Sequence, residues 1–165
     1  FGLESYNQRV LDSMKKGVEL EVIDRIVEEC VRIGIGMHFY LITGFPTETP
    51  AEARESVDFV INNQRILGSP GFSCIISQFD LEKGTPLANN PSEWGITELY
   101  TPPDHDLSLG YSYKINSGMD SDEAEVLYRE LQEKINEKVS TFPDNYSLSD
   151  GLLYLGHPQE ELTTS

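Results

Sequence analysis

The sequence predicts an α/β fold with parallel strands, and two observations carry this prediction. Short apolar segments of strand length alternate with amphipathic helices along residues 1–82, the order that is typical of βα units. The run GMHFYLI at residues 36–42 is almost continuously apolar, which is typical of a strand covered on both faces. Further strands are predicted over residues 1–5 and 72–81.

Helices are predicted from the spacing of apolar residues and from capping patterns. Residues 7–14 indicate a short helix, and residues 20–33 indicate a longer one whose apolar side chains share one face. Thr49 and Glu52 have the pattern of a capping box, so another helix begins there. A second capping box, later in the chain, starts a helix of about residues 121–139.

The chain is predicted to divide at residue 82. Residues 83–165 are interpreted as an α-helical C-terminal extension that contains a long loop, the last helix and a tail. The loop region extends to residue 118 and is rich in Pro, Gly and Asn. The tail begins at residue 141, and no pattern in it indicates where it packs.

Composition argues against several classes of protein. The 28 acidic and 12 basic residues give a net charge of −16, which argues against binding to nucleic acid. No apolar run is long enough for a membrane span, and no signal peptide is visible. Two cysteines do not make a disulfide scaffold, so a cytoplasmic location is predicted. Cys30 and Cys74 lie in apolar patterns that are typical of buried thiols. Because the chain begins with Phe1 and not with Met, it is interpreted as a fragment.

Candidate site residues follow two of the predicted strands. In a parallel βα sheet, functional groups collect in the loops at the carboxyl ends of the strands. Glu4 and Ser5 lie at the end of the first strand, with Lys16 one short helix downstream, and Gly44 and Phe45 follow the next strand. A carboxylate can accept hydrogen bonds from ribose, a lysine can pair with a carboxylate, and a Gly-Phe-Pro backbone can contact an adenine edge. Together these groups suit a nucleoside linked to an amino acid.

Five short segments keep an order and spacing that carry a family resemblance. They are Gly2-Leu3-Glu4-Ser5, Gln8-Arg9-Val10-Leu11, Met14-Lys15-Lys16-Gly17, Gly34-Ile35 and Gly44-Phe45-Pro46-Thr47-Glu48-Thr49. The series resembles the second half of the radical S-adenosylmethionine (radical SAM) core and covers residues 1–82. This resemblance implies a partial (β/α) TIM-like barrel, to which the chain supplies three parallel strands and their helices.

The resemblance also assigns roles to individual residues. In the family, the motif after the fourth strand contacts the SAM ribose, a basic residue after it contacts the SAM carboxylate, and the fifth-strand motif supports adenine. The matching positions are Glu4 and Ser5 for the ribose, Lys16 for the carboxylate (Lys15 and Arg9 match less well), and Ile42, Gly44 and Phe45 for adenine. Glu48 is expected to fix the last of these loops at the start of a helix.

One departure from the family concerns the iron–sulfur cluster. The family holds a [4Fe–4S] cluster with a C-x-x-x-C-x-x-C loop, which this chain lacks, and neither Cys30 nor Cys74 has the required spacing. The resemblance implies a full-length parent that cleaves SAM reductively to methionine and a 5′-deoxyadenosyl radical, whereas the isolated chain is expected to be inactive. Residues 79–96 are similar to radical SAM proteins with a cobalamin-binding domain, which implies that cobalamin could be a further cofactor of the parent.

Two other interpretations of the sequence stay open. The chain could be a non-catalytic binding or scaffold domain with a barrel-like α/β fold, or a different (β/α) enzyme that binds another nucleotide at the same edge. An incomplete barrel would also leave a strand edge uncovered, so self-association through that edge is expected unless the tail covers it.

Overall fold

A three-stranded parallel sheet organises the first half of the chain. The computed structural model describes residues 2–102 and 109–139 of the 165 residues. The strands are β1 (Gly2–Glu4), β2 (His38–Thr43) and β3 (Ser73–Gln78), and β2 lies between the other two. All three run parallel, as the sequence predicts.

Four helices connect these strands, and local sequence explains their limits. They are α1 (Gln8–Ser13), α2 (Leu20–Ile33), α3 (Pro50–Ile61) and α4 (Gln64–Leu67). Gly34 ends α2 in the left-handed conformation, with a φ of 75°. The predicted capping box of Thr49 and Glu52 forms at the start of α3.

The parallel sheet is covered on one face only. Leu3, Phe39 and Leu41 are at most 1 % exposed and pack with apolar side chains of the helices in one core. On the opposite face, Tyr40 is 48 % exposed and its neighbour on β3, Ile75, is 38 % exposed. The expectation that β2 is covered on both faces is therefore wrong for the described residues, because the helices pack on a single side of the sheet.

A second, antiparallel sheet follows β3 where the sequence predicts a long loop. Its strands are β4 (Leu81–Glu82), β5 (Ile96–Tyr100) and β6 (Gly110–Ile115), in the order β4-β6-β5. Between β4 and β5 lie helix α5 (Pro86–Asn89) and a 3-10 helix (Pro91–Trp94). The interpretation of residues 82–118 as a loop is thus corrected, and the described parts of 79–115 are called the antiparallel lobe below. Leu81, Ile96 and Tyr113 form its own small core.

The last described helix, α6 (Ser121–Lys138), returns to the parallel sheet. It begins at the predicted capping box of Asp120 and Glu123. Its apolar face lies in the same core as the parallel sheet, with Ala124, Leu127, Leu131 and Ile135 at most 5 % exposed.

The architecture is α/β, and the strands of the described ranges do not close into a barrel. Within those ranges no helix combines the length and the apolar character needed to cross a membrane. The tail from residue 141, which the sequence leaves unplaced, lies outside the described residues.

Candidate functional site

The predicted site residues lie at the carboxyl edge of the parallel sheet. Because the three strands are parallel, the loops that follow them leave the sheet at the same edge. Glu4 is the last residue of β1 and Ser5 follows it directly, and the loop after β2 carries Gly44 and Phe45. The antiparallel lobe follows β3 at this edge.

Glu4 and Lys16, which the sequence predicts to act together, form an ion pair. Lys16 Nζ lies 3.1 Å from Glu4 Oε1, and the two side chains are 41 % and 18 % exposed. Glu4 has a φ of 60°, which is unusual for a residue with a side chain. Its carboxylate folds back over Gly2, where a Cβ atom would lie only 2.6 Å from Glu4 Oε1. The glycine at position 2 therefore makes room for the carboxylate.

Ser5 faces the interior and not the edge of the sheet. It is fully buried, and its hydroxyl lies 3.0 Å from the hydroxyl of Ser56 on α3. Ser56 Oγ also accepts a hydrogen bond from the backbone N–H of Tyr6. In this structure the Ser5 hydroxyl therefore fixes the loop after β1 to α3.

Both backbone polar groups of Gly44 have partners within the protein. Its N–H donates to Glu48 Oε2 at 2.6 Å, and its carbonyl accepts from the hydroxyl of Tyr113 on β6. Gly44 has a φ of 85°, and a Cβ atom there would lie 2.6 Å from Ala124 Cβ. The absence of a side chain at Gly44 therefore lets this turn pack closely against α6.

Glu48 is a buried carboxylic acid at the start of α3. It is 0 % exposed, and its backbone carbonyl accepts from the N–H of Met119 at 3.0 Å. Oε1 has no hydrogen-bond partner among the described residues. Burial raises the pKa of Glu48 to about 7, against the opposing effect of the hydrogen bond from Gly44. As the sequence predicts, Glu48 fixes this loop, but the residue that caps α3 is Thr49.

Phe45 and Ile42 differ in how they are placed. Phe45 is buried and makes edge-to-face contacts with Phe79 and Trp94, whose ring centroids lie 5.1 and 5.6 Å away. Ile42 is half-buried, on the same side of β2 as the exposed Tyr40. Ile42 thus belongs to the open sheet face and Phe45 to the contact with the antiparallel lobe.

A cleft of about 550 Å³ opens between the turn after α1 and the antiparallel lobe. Phe45, Phe79, Trp94 and Leu87 contribute its apolar wall, and Lys15 lies at its border with Nζ 5.6 Å from the centre of the Trp94 ring. The sequence did not single out Phe79 or Trp94 as site residues. The turn after β2 contributes Phe45 to the wall, whereas Phe79, Leu87 and Trp94 come from the antiparallel lobe, which the sequence did not predict.

Arg9, which matches the SAM carboxylate position less well than Lys16, has its partners within the protein. Its guanidinium pairs with both carboxylate oxygens of Glu52 and donates to the carbonyl of Thr47. Arg9 holds the pKa of Glu52 down at about 2. This pair joins α1 to α3.

The cysteines do not provide a cluster site. Cys74 is buried in β3, and burial raises the pKa of its thiol to about 12, so the thiolate that iron requires is disfavoured. Cys30 lies half-buried on α2. Across residues 2–102 and 109–139, no three His, Cys, Asp or Glu side chains are grouped so that they could hold a metal ion.

No protein-family model, curated protein or solved structure matches this chain.

Proposed function

We propose that this chain is the C-terminal part of a radical SAM enzyme and supplies one wall of its SAM site. The observation that carries the proposal is the Glu4–Lys16 ion pair, which lies at the carboxyl end of β1. In this proposal the three parallel strands are part of a (β/α) barrel, and the open face with Tyr40 and Ile75 is turned toward its interior. The helices on one face and the exposed side chains on the other support this arrangement.

The ion pair has the chemistry that SAM requires. A carboxylate accepts from the two ribose hydroxyls, and an ammonium group pairs with the carboxylate of the methionine part. Glu4 and Lys16 are partly exposed, so each can exchange its present partner for a ligand group at modest cost. The left-handed backbone at Glu4 is a strained conformation of a kind that clusters at binding sites.

The other predicted SAM contacts fit to different degrees. Ile42 offers an apolar surface on the open face. The Ser5 hydroxyl and the Gly44 backbone groups have internal partners, so their contribution would be to hold the loops in place. Phe45 is buried against Phe79 and Trp94, so in this proposal it holds the loop after β2 in place and does not contact SAM itself.

The iron–sulfur cluster does not fit the described residues, so no reaction step is assigned to this chain. In the proposal, the cluster that supplies the electron for SAM cleavage is held by another part of the parent protein. The isolated chain should bind SAM weakly and leave it intact. Cobalamin use and a cytoplasmic location stay sequence-based predictions.

The alternative function is that of a scaffold or binding domain without a SAM site. It is favoured by the internal hydrogen bonds of Ser5 and Gly44, because these polar groups are already satisfied without a ligand. Calorimetric titration with SAM separates the two functions.

The titration compares the wild-type chain with Glu4→Gln, which keeps the size of the side chain and removes its charge. We expect weak binding by the wild type and a loss of at least about tenfold in the variant, because charged hydrogen bonds contribute more than about 1.4 kcal/mol each. Glu29→Gln is the matched control, since Glu29 forms a surface ion pair with Arg32 far from this edge. No heat of binding from the wild type, or equal binding by Glu4→Gln, would favour the scaffold function.

The proposal also includes self-association. β1 is an edge strand of the described sheet, and the open face beside it exposes Tyr40 and Ile75. Light scattering at increasing concentration should give a mass above that of one chain, and Tyr40→Lys should return the mass to that of a monomer. A monomeric mass for the wild type at all concentrations would contradict it.

A further inference from the structure

We propose that the cleft between the turn after α1 and the antiparallel lobe binds a flat aromatic molecule that carries a single carboxylate. This inference goes beyond the proposed function and does not depend on it, because the cleft lies beside Lys15 and not at the Glu4–Lys16 pair.

The cleft has the size and walls of a small-molecule site. Its volume of about 550 Å³ lies within the range of about 300–1,000 Å³ that ligand pockets occupy. Phe79 and Trp94 are only partly buried, and each meets Phe45 edge to face at interplanar angles of 77° and 88°. Aromatic rings in these orientations leave faces and edges against which another ring can pack.

Lys15 supplies the positive charge that would pair with the carboxylate of the ligand. Its ammonium group lies over the Trp94 ring at 5.6 Å, and no carboxylate of the described residues forms an ion pair with it. Lys15 has a φ of 56°, so the turn holds it in a conformation that residues with side chains rarely adopt. A cation next to an aromatic wall pairs with a carboxylate while the ring attached to that carboxylate packs on the wall.

Two acidic residues at the cleft limit the charge of the ligand. The carboxylate of Asp80 is turned toward the backbone of Gly110, where a Cβ atom would meet its oxygens. Glu82 is exposed at the border of the cleft. Because both repel anions, a ligand with several negative charges is disfavoured, and a singly charged acid fits better than a nucleotide with several phosphates.

The chain offers a direct signal for this test. Trp94 is its single tryptophan, so the intrinsic tryptophan fluorescence reports on the cleft alone. The probe is 3-phenylpropionate, which combines a flat ring with one carboxylate. The comparison probes are 3-phenylpropylamine, which reverses the charge, and 3-cyclohexylpropionate, which removes the flat ring.

We expect 3-phenylpropionate to change the Trp94 fluorescence saturably and both comparison probes to bind at least about tenfold more weakly. Lys15→Gln should lower the affinity for 3-phenylpropionate by a similar factor. The matched control is Lys83→Gln, which removes a lysine that lies over a different ring, that of Tyr111 at 5.3 Å. Circular dichroism checks that both variants fold.

Three results would overturn the proposal: no saturable change up to the solubility limit of 3-phenylpropionate, equal affinity in Lys15→Gln, or competitive displacement of the probe by SAM. The last result would make the cleft part of the SAM site. Failure of SAM binding with retained 3-phenylpropionate binding would reject the proposed function and leave this inference in place.

Discussion

Glu4 at the end of β1 and Glu48 in the loop after β2 lie at the same edge of the parallel sheet, yet their environments are opposite. Glu4 lies beside the open face and pairs with Lys16 at 3.1 Å. Glu48 is fully buried, holds the Gly44 N–H, and has a pKa raised to about 7. The first carboxylate is in a partly exposed ion pair, whereas the second is buried and accepts a hydrogen bond that holds a loop.

This difference shows that residue type and position at a strand end do not define a role. Burial decides whether a carboxylate is stable as a charge, and internal hydrogen bonds decide whether it is available. The second loop is held by Tyr113 of the antiparallel lobe, which donates to the carbonyl of Gly44, and by Met119 just before α6, which donates to the carbonyl of Glu48.

The largest expected effect comes from adding a side chain to the covered loop. Gly44→Ala should lower the free energy of unfolding by about 4 kcal/mol, combining the cost of a left-handed residue with overpacking against Ala124. Gly34→Ala is the control: Gly34 has a φ of 75° and nothing within 4 Å of its Cβ position, so only about 1–2 kcal/mol should be lost. Urea denaturation measures both. Equal losses would show that Ala124 moves aside freely.

The next prediction concerns how the stability contributed by the buried Glu48 side chain depends on pH. Its pKa is raised from 4.5 to about 7 on folding, so the folded state binds more protons than the unfolded chain between these values. The contribution of Glu48 to stability is therefore complete below about pH 4.5 and is lost as pH rises through about 7, by up to about 3 kcal/mol.

Glu48→Gln removes this titration. The free energy of unfolding of the variant, relative to that of the wild type, should therefore increase between about pH 4.5 and about pH 8. The expected increase is at most about 3 kcal/mol. Glu52 and Arg9, the charged groups that act on Glu48, remain in both proteins. Urea denaturation over this pH range gives the comparison, and parallel pH profiles would mean that Glu48 is hydrated or paired.

A smaller effect is expected from the hydrogen bond that joins the lobe to the loop. Tyr113→Phe leaves the buried carbonyl of Gly44 without its donor and should reduce the free energy of unfolding by about 2 kcal/mol. Tyr128→Phe, at a half-buried position of α6, should change it by less than about 0.5 kcal/mol. Similar values for the two variants would show that the lobe does not hold the Gly44 turn.

The smallest effect on stability is expected from the partly exposed ion pair of Glu4 and Lys16. Lys16→Gln should alter the free energy of unfolding by less than about 1 kcal/mol, because a partly exposed ion pair contributes little. In calorimetry the same variant should weaken SAM binding, as Glu4→Gln does. A strong loss of stability would assign the pair to the fold and not to a ligand.

The sequence predicted those parts of the fold that local signals specify. Capping boxes located the starts of α3 and α6, whereas α2 was located by its apolar spacing, and Gly34 ends it. The antiparallel lobe was not predicted, because its strands have few buried positions among polar and turn residues. The alternation of Tyr111, Tyr113 and Ile115 along β6 was the one available signal.

The sequence identified candidate residues of the site but not their contacts with one another. It placed Glu4 at the end of the first strand, and the family resemblance matched Lys16 to another group of the same ligand, but it did not predict the ion pair between them. It could not show that Ser56 holds Ser5 or that Ala124 fills the space beside Gly44. Those contacts join residues about 50 and 80 positions apart, and tertiary packing alone decides them.

The return of α6 to the parallel sheet makes the antiparallel lobe an insertion within a single core. Gln78 at the end of β3 donates to the carbonyl of Ser121 at the start of α6, so the two ends of the insertion touch. During synthesis, the core of the sheet would be complete only after α6 has emerged from the ribosome. Over evolution, the same geometry would let a lobe of different length or sequence be exchanged between β3 and α6 while the register of the sheet is kept.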